Sequence, residues 1–145
     1  MPADRDHQLE LPFDAVFAPG DSPALWTPRD IWVRLTQRLM PHFGEDRRID
    51  YKRGVRVDIE ELATYFSMYS NTPDGGVIVY GADSKGNPTG CSNLSRDTLN
   101  GIERCHTLRC PQARPEFKRI PVIVDGVQDF AVAIYIPYIG RLVDQ

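Results

Sequence analysis

Three stretches of the chain carry apolar residues at helical spacing, and five others read as strands. Thr27-Pro28-Arg29-Asp30 is a helix start, with Thr27 at the N-cap and Pro28 in the first turn. Ile31, Trp32, Leu35 and Leu39 follow at three-to-four spacing, with Arg34 and Arg38 together on another face, until Pro41 and Gly44 stop the helix. Residues 47–53 then alternate, Ile49 and Tyr51 turning inward while Arg48, Asp50 and Lys52 turn outward. Asp58 caps a second helix over 59–69, built on Ile59, Leu62, Ala63, Phe66 and Met68.

Asn71 to Gly76 is turn chemistry, and the unbroken apolar run Val77 to Tyr80 predicts a strand buried on both faces. The segment 83–88 reads as a hairpin loop leading to a short strand at 88–91. Ser95 and Asp97 open a third helix carrying Leu99, Ile102 and Cys105. Strands at 116–124 and 129–137 close the chain around the turn Asp125-Gly126. The pattern predicts an α+β fold: a mixed, mostly antiparallel sheet, largely hairpin-paired around the strand at 77–81, with about three helices. Residues 1–27, with four prolines and no helical period, read as an extended arm anchored by Leu11, Phe13, Val16 and Phe17. The domain proper occupies 28–145.

A chain of 145 residues with 41% hydrophobic and 26% charged side chains suffices for one domain with a real core. Its net charge of −3 is unevenly distributed. Residues 1–30 hold six acidic and two basic groups, residues 31–56 seven basic and three acidic, and residues 102–120 five basic and two acidic. Two basic blocks therefore interrupt an acidic chain. Asp4, Asp6 and Glu10 break up the start, so no signal peptide is read there, and no run approaches the roughly 18 apolar residues of a membrane helix. Three cysteines, an odd count, argue against a disulfide framework, and the cytoplasm is the expected compartment.

The basic blocks supply candidate phosphate contacts: Arg34, Arg38, Arg47, Arg48, Lys52, Arg53 and Arg56 from the first, and Arg104 and Arg109, with Arg114, Lys118 and Arg119, from the second. A charged solvated face is the plainer reading of each. Asp50 and Lys52, two apart on a strand, share a face, and Glu45 converges on them only from the turn after Gly44. If the strands at 47–53 and 77–81 are neighbours, Asp83 becomes a third carboxylate near Lys52; otherwise it is a loop residue. Carboxylates with a lysine suit divalent-metal hydrolysis of phosphodiesters, and a surface ion pair is the plainer alternative. Tyr51, Tyr65 and Tyr80 are read as core residues in preference to base-stacking platforms. Cys91, Cys105, His106 and Cys110 lack a paired Cys-x2-Cys knuckle, and the cysteines are read as one reduced core thiol, Cys105 on the buried side of its helix, with the others at the surface. No P-loop and no nucleophile-elbow motif occurs.

Glu45, Asp50-Tyr51-Lys52, then Asn71-Thr72, Gly75-Gly76, Gly81, Asp83, Gly86 and Gly90 together resemble the Schlafen-type AlbA_2 domain over roughly residues 30–138. The family more often has Glu-Phe-Lys where this chain has Asp50-Tyr51-Lys52, and a second acid where Ser84 stands. The resemblance implies a nucleic-acid-binding domain of a bacterial regulator or defence-type protein. It further implies a basic cleft and, in some relatives, a metal-dependent ribonuclease site that would fall on Glu45, Asp50 and Asp83, assisted by Lys52.

The leading expectation is a domain that contacts the phosphate backbone of DNA or RNA through a basic face, with no cofactor required for binding. The second is a Mg²⁺- or Mn²⁺-dependent endonuclease, and the third a protein-interaction module that binds no nucleic acid. Dimerisation through the exposed closing strand would double the basic face, and no membrane partner is expected.

Overall fold

The structure, a computed structural model, describes residues 22–140. The arm anchors Leu11, Phe13, Val16 and Phe17 lie outside the described residues. Helices α1 (Pro28–Arg34), α2 (Ile59–Ser70) and α3 (Arg96–Arg109) accompany strands β1 (Ile49–Lys52), β2 (Gly76–Tyr80), β3 (Glu116–Val124) and β4 (Val127–Ile136). The sheet order is β1-β2-β4-β3, with β1 parallel to β2 and both other pairings antiparallel. Over the described residues the fold is α+β, with three α-helices and a mixed, mostly antiparallel sheet.

Local chemistry accounts for each element. Thr27 and Asp30 form a reciprocal capping box at α1, Asp58 accepts from the amides of Glu60 and Glu61 at α2, and Ser95 accepts from Thr98 at α3. Asp125 and Gly126, at φ 51° and 78°, make the left-handed turn that a two-residue hairpin requires between β3 and β4. Ile49 and Tyr51 are buried while Asp50 and Lys52 are half-buried, as the alternation predicts. All of β2 is buried because both sheet faces are covered. Ile31, Leu35 and Met40 pack with Val77, Val79, Ile120 and Val122 on one face. The opposite face, bearing Ile78, Tyr80, Val132 and Ile134, is covered by Leu62, Phe66 and Ile102 of α2 and α3. Burying each such side chain contributes roughly 1.5–3 kcal/mol before ordering entropy is subtracted.

Four expectations need correction. The first helix stops at Arg34 instead of running toward Pro41. Lys118 donates to the Trp32 carbonyl and, at 3.4 Å, to that of Val33, satisfying the end of α1 early. The Gln37 side chain then pairs with both backbone groups of Ile123, at 3.1 and 2.8 Å, drawing the chain along β3. Met68 is 44% exposed, and Tyr69 takes its place in the core. The strand expected at 88–91 reduces to one bridge between Ala82 and Pro88. Finally, only β3 and β4 form a hairpin, where a largely hairpin-paired sheet was expected; β1 joins β2 in parallel through the α2 crossover.

Each sheet edge is met by a side chain at one position. Gln37 covers β3 at Ile123, and on β1 the Glu45 carboxylate accepts from the Tyr51 amide at 3.0 Å. Among the described residues no helix is long and apolar enough to cross a membrane.

The turn into β2 is sterically demanding. Gly75 has φ +73°, and a Cβ there would lie 2.1 Å from the Ile136 carbonyl oxygen. Gly75→Ala is expected to destabilise the domain by about 2–3 kcal/mol, read as a lower midpoint in chemical denaturation. An unchanged midpoint would contradict this packing.

Candidate functional site

Parallel pairing of β1 and β2 builds the site. Asp50 lies opposite Ile78 and Lys52 opposite Tyr80, and the Lys52 carbonyl accepts from both Gly81 and Ala82, at 2.6 and 3.2 Å. The two strands therefore end together, with the 53–58 segment and the start of α2 on one side and the loop after β2 on the other. Between them opens a cleft of about 490 Å³ lined by Lys52, Arg53, Arg56, Glu61 and Asp83. Ligand crevices of α/β sheets commonly lie at the carboxyl ends of parallel strands. A second hollow of about 320 Å³, bordered by Arg47, Asp50, Tyr65 and Met68, lies on the other side of Lys52.

Lys52 joins the two. Its ammonium lies 3.2 Å from Asp50 Oδ2, 3.4 Å from Glu61 Oε2 and 5.1 Å from the centre of the Tyr65 ring. Burial opposes its charge, but the Asp50 carboxylate outweighs that and raises its pKa. The Asp50–Lys52 contact is an ion pair without hydrogen-bond alignment, since Oδ2 is otherwise buried and unpartnered. Glu45 reaches this group from the turn after Gly44. Its pKa is raised, first by the adjacent Asp50 carboxylate and then by burial. For Asp50, burial acts upward, yet the proximity of Glu45, Tyr65 and Lys52 prevails and lowers its pKa. The two neighbouring carboxyls thus oppose each other's ionisation, and Glu45 is the one whose charged form is disfavoured.

Asp83 does not join them. Its Oδ1 accepts from the amides of Lys85 and Asn87, at 2.9 and 3.0 Å, and its Oδ2 accepts from the Asn87 side chain at 3.3 Å. Those bonds, that of the Asn87 amide first, hold its pKa below the ordinary carboxylate value. Among the described residues no three His, Cys, Asp or Glu side chains are arranged to hold a metal ion. The donor set expected from Glu45, Asp50 and Asp83 is therefore not assembled for Mg²⁺ or Mn²⁺. Glu45, Asp50 and Lys52 converge, and Asp83 stands in the neighbouring cleft.

The basic residues do not make one continuous face. Arg48 turns inward, donating to the Pro23 and Trp26 carbonyls at 2.8 Å each and pairing with Asp46, so it ties the preceding segment to β1. Arg34 stacks on Trp26 at 4.4 Å, and Arg38 and Arg47 are exposed. In the second block Arg109 pairs with Glu60, Arg114 donates to carbonyls of residues 111–113, and Arg119 lies over Phe130. Arg104 is exposed on α3, across the sheet from α1 with its Arg34. Arg53 and Arg56 differ from the rest of the site. Both are exposed on the cleft, and neither makes a hydrogen bond or ion pair with a described side chain.

Glu61 was not singled out from sequence, and Tyr65, read there as a core residue, is only partly buried and lies against Lys52. Their signal was the i, i+4 step on α2, one position off the core face of Leu62 and Phe66. Tyr51 and Tyr80 are core residues, with the Tyr51 hydroxyl donating to the Met40 and Phe43 carbonyls at 3.0 and 2.6 Å. Cys91 and Cys110, expected at the surface, join Cys105 as buried free thiols of the core on the α2–α3 side of the sheet, with burial raising Cys91 and Cys105 to about 11.

No protein-family model matches the chain, and no curated protein matches it. Among solved structures, the DIP2311 protein of Corynebacterium diphtheriae is similar with a TM-score of 0.51 at 18% identity, over 80% of this chain and 27% of that one. The chain thus spans about a quarter of that protein's length, and the likeness concerns the fold alone.

The raised pKa of Glu45 makes a pH prediction. A carboxyl whose folded pKa is raised contributes stability below its unfolded pKa and loses it as pH rises through the folded value. Glu45→Gln, which removes the charge that Asp50 opposes, is expected to raise the denaturation midpoint at pH 7. The gain should shrink as pH falls below the ordinary glutamate range. A lower midpoint at pH 7 would contradict the opposition between Glu45 and Asp50.

Proposed function

We propose that the chain is a nucleic-acid-binding domain of the kind its resemblance to the Schlafen-type AlbA_2 domains implies, gripping the phosphate backbone at the cleft beyond β1 and β2. The observation that carries this is the pair Arg53 and Arg56, exposed on a concave surface with no described side chain pairing either. A guanidinium presents a planar fork of donors matched to phosphate oxygens, and here that fork faces solvent. Of the neighbouring acids, Glu61 faces the cleft beside Lys52, and the others are engaged. Asp58 caps α2, Asp83 accepts from its own loop, and Asp50 pairs with Lys52. Arg47, beside the second hollow, would extend the phosphate track along β1.

The metal-dependent nuclease has less support, because Asp83 is held by Lys85 and Asn87 apart from Glu45 and Asp50. A protein-interaction module would be left if no polyanion binds.

Binding of a short labelled single-stranded RNA or DNA, followed by fluorescence anisotropy, tests the proposal. Affinity is expected to fall steeply with salt. The Arg53→Ala, Arg56→Ala double variant should weaken it and flatten the log–log salt slope by about 1.4–1.8, from about 0.7–0.9 per lost phosphate contact. Absence of binding at low salt, or an unaltered slope in the double variant, would overturn the proposal.

A further inference from the structure

We infer that this cleft also selects the base, and that Glu61 is the group that reads it. The inference rests on the backbone-binding proposal and adds a substrate class: unpaired nucleotides whose bases carry an exocyclic amine. The cleft volume of about 490 Å³ is of the order of a small-ligand pocket. A base stacked and paired in a duplex cannot enter such a concavity, so only a splayed, single-stranded one can. Val55, on its lining and 72% exposed, offers apolar surface against which a base ring can pack.

The acids of the cleft are not equivalent. Asp58 receives two backbone amides of α2 on Oδ1, and Asp83 has both oxygens engaged. Glu61 has Oε2 facing Lys52 at 3.4 Å, a side chain 44% exposed, and no described partner on Oε1. An ionised carboxylate only accepts hydrogen bonds. It suits the amino groups of cytosine, adenine and guanine. Uracil and thymine offer a single N–H flanked by two carbonyl oxygens, which the carboxylate repels. With a phosphate on Arg53 or Arg56, the open oxygen of Glu61 therefore favours amine-bearing bases.

The test compares labelled oligo-C and oligo-U RNAs of equal length at one salt concentration. Oligo-C is expected to bind about tenfold more tightly. Glu61→Gln should bring the ratio close to one, whereas Arg56→Ala should weaken both ligands alike. The ratio separates base reading from any general loss of fold, which would lower both affinities together. Equal, salt-dependent affinities in the unaltered protein would overturn the base reading and leave backbone binding standing. A ratio that survives Glu61→Gln would overturn the role of Glu61. Failure of both RNAs to bind at low salt would remove the underlying proposal as well.

Discussion

The carbonyl of Lys52 receives two amides, those of Gly81 and Ala82, at the point where β1 and β2 stop pairing. Parallel strands joined through a helix end on the same side, so this closure brings the segment after β1, the first turn of α2 and the loop after β2 to one place. The approach is tight. A Cβ on Gly54 would lie 2.1 Å from the Gly90 carbonyl oxygen, so only glycine lets the two backbones meet beneath the cleft. Every candidate functional group is positioned relative to that closure. Lys52 lies at it, Asp50 and Glu45 on one side, and Arg53, Arg56, Glu61 and Asp83 on the other.

Electrostatics then separates groups that serve the fold from groups that face a ligand. Arg48 and Lys118 bond to main-chain carbonyls, and Asp58 and Asp129 to main-chain amides. Their charges are largely compensated within a few ångströms. The cleft lining sets Lys52, Arg53 and Arg56 against Asp58, Glu61 and Asp83, so which of these groups face solvent, rather than the net charge of −3, decides the field a ligand meets there. Lys52 lies between the two regimes, paired with two carboxylates yet lining the open cavity.

Much of this was legible in the sequence because it is locally encoded. Caps at Thr27, Asp58 and Ser95, the Asp125-Gly126 turn, the alternation of Ile49 to Lys52 and the apolar run Val77 to Tyr80 each carry their own signature. What depends on distant partners was not. The early end of α1 rests on Lys118 reaching Val33 and Gln37 reaching Ile123, each across 85 or more positions, and the inward turn of Arg48 rests on carbonyls of residues 23 and 26. At the site, the convergence of Glu45, Asp50 and Lys52 followed from strand parity and the turn at Gly44. The separation of Asp83 did not, since an Asx-type loop and a third carboxylate look alike in sequence. Likewise the dense arginines of residues 31–56 gave no sign that bends in the chain would send them to different surfaces.

Amide chemical-shift mapping during titration with a short single-stranded oligonucleotide tests the central claim most directly. The account predicts perturbations concentrated at Arg53, Arg56, Glu61 and Ser84 around the ends of β1 and β2. Perturbations centred on α3 and β3, with the cleft silent, would contradict it.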